Sequence, residues 1–120
     1  SMSMTIDGKD WQPILSVTGL GFNVLEERFK HTAEGQHKQV KITRRFRKDK
    51  ALTEWLKTGE AKDSVAVRFV DRRDGEIARF EIHGAVPYEW SGPTIEERGD
   101  DVVLTETLVL LVKDTEMVDP

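Results

Sequence analysis

The sequence predicts a mainly β fold, a small antiparallel β-barrel or sandwich with one α-helix on its flank. Three observations lead there. Apolar residues alternate through "DSVAVRFVDRRDGEIARFEIHGAVPY": Val65, Val67 and Phe69 run up to a turn at Asp74-Gly75, and Ala78, Phe80 and Ile82 return. One segment, "DKALTEWLKTG", carries a convincing helical spacing, with Leu52, Trp55 and Leu56 between an N-cap candidate, Asp49, and a stop at Gly59. The strongest pattern, "VVLTETLVLLV", is a strand with apolar or hydroxyl side chains on both faces.

The remaining elements follow in chain order. "SMTIDGKDWQPILSVTGL" reads as two short strands around a turn at Asp7-Gly8, and Pro13 places the start of the second at a sheet edge. "GFNVLEERFKHTAEGQHKQVKITRRF" reads as two strands joined by the polar loop "HTAEGQHK". In the second of these, Val40, Ile42, Arg44 and Phe46 share one face, and Lys41, Thr43 and Arg45 the other. After the helix and the hairpin, a Trp90-Ser91-Gly92-Pro93 corner and an acidic turn lead into the last strand. The expected total is about seven strands. Ser1-Met2 reads as an expression scar, residues 1–4 and 114–120 as tails, and 5–113 as the domain.

The totals set limits. A chain of 120 residues argues for one domain, with about two-thirds of its unfolded surface buried on folding. Charged residues make up 33%, the net charge is -4 and the pI about 5.4, so the whole chain has no bulk attraction to nucleic acid or to an anionic membrane. Cysteine is absent, which excludes disulfides and thiolate catalysis. "SMSMTIDG" lacks the apolar core of a signal peptide, and no apolar run approaches a membrane span. The expectation is a soluble chain made in the cytoplasm.

No motif carries a catalytic signature. Of the three histidines, His31 and His37 share a loop, and neither they nor His83 belong to a recognisable ligand set, so solvated histidines and no metal are expected. "RRFRKDK" is a basic patch with one aromatic residue, but Phe46 falls on the apolar face of its strand. A solvated or subunit-facing patch is the simpler reading. "EERGDD" lacks the ligand order of a calcium loop and reads as a solvated turn. "TGLGF" is too short for a dinucleotide fingerprint, and Ser16, Ser64 and Ser91 have no supporting His/Asp arrangement. No cofactor is expected.

A strand that is apolar or hydroxyl-bearing on both faces is usually covered on both sides. One helix of about ten residues covers only part of a small barrel, and the open edges left over are a liability in a monomer. Assembly with copies of itself is one physical solution.

The residues also carry a family resemblance. "VTGLGF" after an early strand, "LTEWLKTG", the "RRDGEIARFEIHGAVPYEWSGP" hairpin and corner, and "VVLTETLVL" occur in that order. This order resembles the tail tube proteins of contractile bacteriophages, a family that includes the inner tube subunits of contractile injection systems and is related to the type VI secretion tube protein. Trp90, Gly92 and Pro93 match the corner, Glu106, Thr107, Leu108 and Leu110 the final strand, and Trp55 and Leu56 the helix, over residues 5 to 113. The resemblance implies a structural, non-enzymatic subunit, forming hexameric rings that stack into a hollow tube, with sheath and baseplate proteins as further partners. It implies no membrane and no specific nucleic-acid contact, and an assembled location in a virion tail or injection particle. One segment departs from the pattern: "FKHTAEGQHKQVKITRRF" is compact and lacks a Pro-Gly turn, which leaves room for a capping or baseplate-proximal component.

Residues 29–38, with Phe29, His31 and His37, and the patch of Arg44, Arg45, Arg47 and Lys48 are the expected subunit contacts. Replacing Arg44, Arg45 and Arg47 by glutamate is expected to weaken rings and spare the monomer. The alternatives are a monomeric β-barrel adaptor that holds nucleic acid or an acidic partner through residues 44–50, and a small enzyme or ligand-binding barrel with a deep, polar-lined pocket.

Overall fold

Why does a chain so rich in charge still bury a continuous core? The alternation read from the sequence gives each strand one apolar face, and two sheets set those faces against each other. The computed structural model describes residues 2–11, 14–21 and 38–118, with Glu96 and Arg98 described by their backbone alone. The described strands are β1 (Met2–Ile6), β2 (Lys9–Asp10), β3 (Ile14–Thr18), β4 (Lys38–Arg45), β5 (Val65–Asp71), β6 (Gly75–His83), β7 (Val86–Arg98), β8 (Asp101–Val112) and β9 (Asp114–Val118). The described helix, α1, is Lys50–Thr58. One sheet has the order β2-β1-β5-β6-β9 and the other β3-β4-β8-β7, every pairing antiparallel.

Met4, Val65, Val67 and Ile82 from the five-stranded sheet meet Val40, Ile42, Leu108, Leu110 and Val112 from the four-stranded sheet, all essentially without solvent contact. Each such side chain contributes about 1.5–3 kcal/mol relative to exposure. Helix α1 adds Leu52 and Trp55, and Leu56 packs against the same cluster half-buried. The helix ends are as expected: Asp49 accepts from the Leu52 N–H at 3.0 Å, and Gly59 stops the helix in the left-handed conformation. The Asp7-Gly8 turn between β1 and β2 and the hairpin that returns at Gly75 also form as read.

Three expectations change. The segments read as tails supply strands: Met2–Ile6 pairs with β5 and fully buries Met4, and Asp114–Val118 pairs with β6. Their alternation is too short to stand out in sequence, and pairing with a neighbour completes it. The early segment yields a strand beyond the two expected, the short β2 between the Asp7-Gly8 turn and the expected second strand β3, so the strand total exceeds seven. The Trp90–Pro93 corner lies inside β7 as an irregularity, with the register shifting between Ser91 and Thr94; the chain reverses later, at Gly99-Asp100. Pro13 and the strand expected near residues 22–30 lie outside the described residues.

Gly19, in "VTGLGF", has a structural reason to be glycine. Its φ is +92°, and a Cβ there would sit 2.0 Å from the Gln39 carbonyl oxygen. Gly59 has φ +65° but open space around it. Gly19→Ala should therefore cost about 3 kcal/mol or more, and Gly59→Ala about 1 kcal/mol. Urea unfolding of both variants checks this, and equal costs would show that the close approach at Gln39 relaxes freely.

Candidate assembly interface

The site begins with a buried carboxylate. Glu106 falls on the inward face of β8, in line with Leu108 and Leu110, and is 1% exposed. Its register partner on β4 is Arg44, which is fully buried, and the Arg44 Nε donates to Glu106 Oε2 at 3.1 Å. The Trp90 indole N–H donates to Glu106 Oε1 at 2.9 Å, and the Arg47 backbone N–H to Oε2 at 3.3 Å. Gly92 passes so close that a Cβ would lie 3.0 Å from the Glu106 Cα and Cβ. Arg44 also donates through Nη2 to Asp49 at 3.1 Å, and its guanidinium lies 3.8 Å from the centre of the Trp11 ring. One buried acid–base pair thus joins β4, β7, β8, the start of α1 and the segment after β2.

Asp49 titrates below its ordinary value of 3.8. Partial burial pushes its carboxyl up, but the Leu52 N–H and the Arg44 guanidinium together outweigh that and hold it down.

Beyond this cluster lies the surface of the four-stranded sheet. Its outward face carries the register trios Ser16–Thr43–Thr107 and Thr18–Lys41–Val109, then Arg45 opposite Thr105. Glu89 and Ser91 of β7 continue the same rows. Hydroxyls there satisfy one another, as in the 3.0 Å contact between Thr43 and Thr107. The face is polar and hydroxyl-rich. The long final strand thus has an apolar inner face and an outer face that mixes hydroxyl and apolar residues, with Thr105 and Val109 buried and Thr107 and Leu111 half-buried.

Among the described residues, the edge strands β3 and β7 each have one hydrogen-bonded neighbour. Past Arg45, where β4 ends, β7 and β8 run on as a two-stranded ribbon to Gly99-Asp100. On the inward side of this overhang Ile95 is 70%, Val102 66% and Leu104 48% exposed, and Phe46, whose N–H bonds to the Leu104 carbonyl, is 37% exposed. An isolated ribbon with an apolar face is marginal in water and a site for association.

The expected contact residues are dispersed by this arrangement. Arg44 is buried and ion-paired, contrary to its reading as a surface-patch residue; strand alternation turns it inward, where Glu106 and Asp49 neutralise it. Arg45 faces outward on the sheet, while Arg47 and Lys48 are exposed in the loop before α1, so the basic run is not one surface. Phe29, His31 and His37 lie outside the described residues. Trp55 is buried in the core with its indole N–H on the Glu60 carbonyl at 2.7 Å, and Pro93 is exposed within the β7 irregularity. The apolar overhang was missed by sequence reading, because it arises from β8 running on past the end of its neighbour β4, a pairing the sequence does not show.

A cleft of about 490 Å³ lies between the β1–β2 turn and α1, lined by Trp11, Asp49, Trp55 and Lys62 among others. Asp49 is held low, and the hydrogen bond that the Lys62 ammonium donates to the Asp7 carboxylate pushes Lys62 up from its ordinary 10.5. Both shifts favour the charged forms and move these groups away from proton exchange near neutral pH.

No protein-family model and no curated protein matches this chain. Solved structures do. A chain of the sheath-tube complex of an extracellular contractile injection system (PVC) in its extended state superposes with a TM-score of 0.69 at 13% identity, covering 99% of this chain and 88% of that one. Hcp1 from Flavobacterium johnsoniae gives 0.65 at 18% identity, covering 97% and 93%. A chain of the anti-feeding prophage cap, described as a tube terminating cap, gives 0.69 at 12% identity, covering 99% and 88%. The chain has the tail-tube fold. That fold places the hydroxyl-faced sheet, the open edges and the ribbon in one architecture spanning nearly the whole chain.

Removing one partner of the buried pair leaves the other charge unpaired. Arg44→Met and Glu106→Leu should each cost about 3–5 kcal/mol, and the double replacement should cost clearly less than their sum. Denaturant midpoints of the four proteins in the cycle check this; additive costs would mean that the pair is not coupled. Asp49 supplies a second test. Its folded-state value lies below its unfolded one, so its stabilisation is full above about pH 4 and is lost as pH falls through the lowered value. Asp49→Asn should flatten that part of the acid-unfolding profile, and an unchanged profile would remove Asp49 as its source.

Proposed function

We propose that this chain is a structural subunit of the inner tube of a contractile phage tail or injection system, which assembles with its own copies into hexameric rings that stack. The observation that carries the proposal is the four-stranded sheet. Both of its edge strands have a free side among the described residues, and its β7–β8 ribbon overhangs with Ile95, Val102 and Leu104 exposed.

A sheet of this kind is completed by pairing β3 of one copy with β7 of the next, in a closed ring that leaves no edge. Closure turns the hydroxyl and charged face of Thr43, Thr107, Lys41 and Glu89 to one side all around, as suits the wall of a water-filled lumen. The apolar overhang then packs on the neighbouring copy. The likeness to chains of sheath-tube, tube-cap and baseplate assemblies supports sheath and baseplate proteins as further partners. The role is mechanical and needs no cofactor or catalytic group. No helix among the described residues is long and apolar enough to cross a membrane, and the proposed location is the bacterial cytoplasm at synthesis and then the assembled particle.

The test is mass by light scattering after size exclusion, with negative-stain images of the same peak. The expected result is rings of about six copies of the 13.7 kDa chain. Ile95→Lys with Leu104→Lys should give a folded monomer under the same conditions, because a charge on the overhang opposes its burial in a neighbour. A wild-type chain that stays monomeric at high concentration, or a variant that assembles as well as wild type, would overturn this reading.

A further inference from the structure

We propose that Glu81, His83 and Glu116 form a divalent transition-metal site on the outer face of the five-stranded sheet, of the class that takes Zn²⁺. This inference is independent of the assembly reading. His83 and Glu81 are two apart on β6 and so share a face, and Glu116 on β9 is the direct register partner of Glu81. One ligand atom from each residue lies within 4.8 Å of the other two, and His83 Nε2 is 3.3 Å from Glu116 Oε2. Ligands bound at tetrahedral zinc lie about 3.3–3.4 Å apart, so that edge already has the right length. The Glu81 carboxylate closes the set by a side-chain rotation.

Electrostatics points the same way. Glu81 and Glu116 are like charges directly opposed across a strand pair, an arrangement that destabilises a sheet unless something cationic lies between them. Among the described residues, no basic side chain ion-pairs with Glu81; the polar contact of this cluster is that between His83 and Glu116. A divalent cation balances two carboxylates, and an imidazole beside them favours a zinc-like ion over calcium or magnesium. Two of the ligands are half-buried and Glu116 is exposed, so solvent supplies the open coordination position. Sequence inspection passed over the set because Glu116 lies more than thirty residues from His83 and reaches it only through the pairing of β9. Bound metal would clip that C-terminal edge strand to β6.

Titration of the metal-free full chain with ZnCl₂, followed by calorimetry, tests the site. One equivalent should bind saturably, and Zn²⁺ should raise the thermal unfolding midpoint. His83→Ala and Glu116→Gln should each weaken binding by about tenfold or more. Both positions are on the surface, so the variants should fold, and their metal-free unfolding midpoints verify it. His31→Ala combined with His37→Ala should bind as wild type. Absence of saturable binding, or binding that survives His83→Ala unchanged, would overturn the proposal.

Discussion

The Glu106 carboxylate is the point on which the architecture depends. It takes the place of an apolar residue on the inward face of β8, and one arginine and two N–H donors converge on it. Burying it without them would cost several kcal/mol. Every element that supplies a donor is therefore fixed relative to β8: β4 through Arg44, β7 through Trp90, and the approach to α1 through Arg47. Asp49 extends the constraint, because the carboxylate that receives Arg44 also caps the helix. Slipping β4 or β7 by one residue would turn a partner outward and leave Glu106 unpaired, so the cluster fixes register where apolar packing alone would be more permissive.

That constraint explains the Trp-Ser-Gly-Pro stretch. β7 must bring Trp90 onto Glu106 and then pass Gly92 close over the Glu106 backbone, where a Cβ would crowd the Glu106 Cα at 3.0 Å and the φ of +149° disfavours a side chain. The register shift around Gly92-Pro93 re-aims the strand, and Thr94 onward pairs with Thr105 and the residues before it as the overhanging ribbon. The same few residues close the buried cluster and launch the exposed surface.

Much of this was legible in sequence because it rests on local rules. Helix α1, its Asp49 cap and its Gly59 stop follow from spacing and capping chemistry, and the β5–β6 hairpin from alternation up to Asp74-Gly75. The alternation that placed Arg44 with Val40 and Ile42 already pointed it inward; its place in "RRFRKDK" argued the other way, and the strand period prevailed. What sequence did not supply depends on pairing across long separations. Glu106 is recognisable as a partner only when β4 lies beside β8, and Met2–Ile6 and Asp114–Val118 become strands only because β5 and β6 offer them edges. The overhang is likewise a difference of lengths between neighbours, invisible until the neighbours are known.

The interior and the exterior of the four-stranded sheet divide two requirements between them. Inside, the apolar rows and the Glu106 cluster make the chain fold with a single register. Outside, hydroxyls such as Thr43 and Thr107 bond to each other and present a face that is content in water yet packs closely. An edge that differed by one residue between copies would set their polar and apolar rows out of phase, and a ring built from them would not close. In the proposed ring, fixing the register by a buried charge within the chain would be the same physical requirement as uniform pairing between copies.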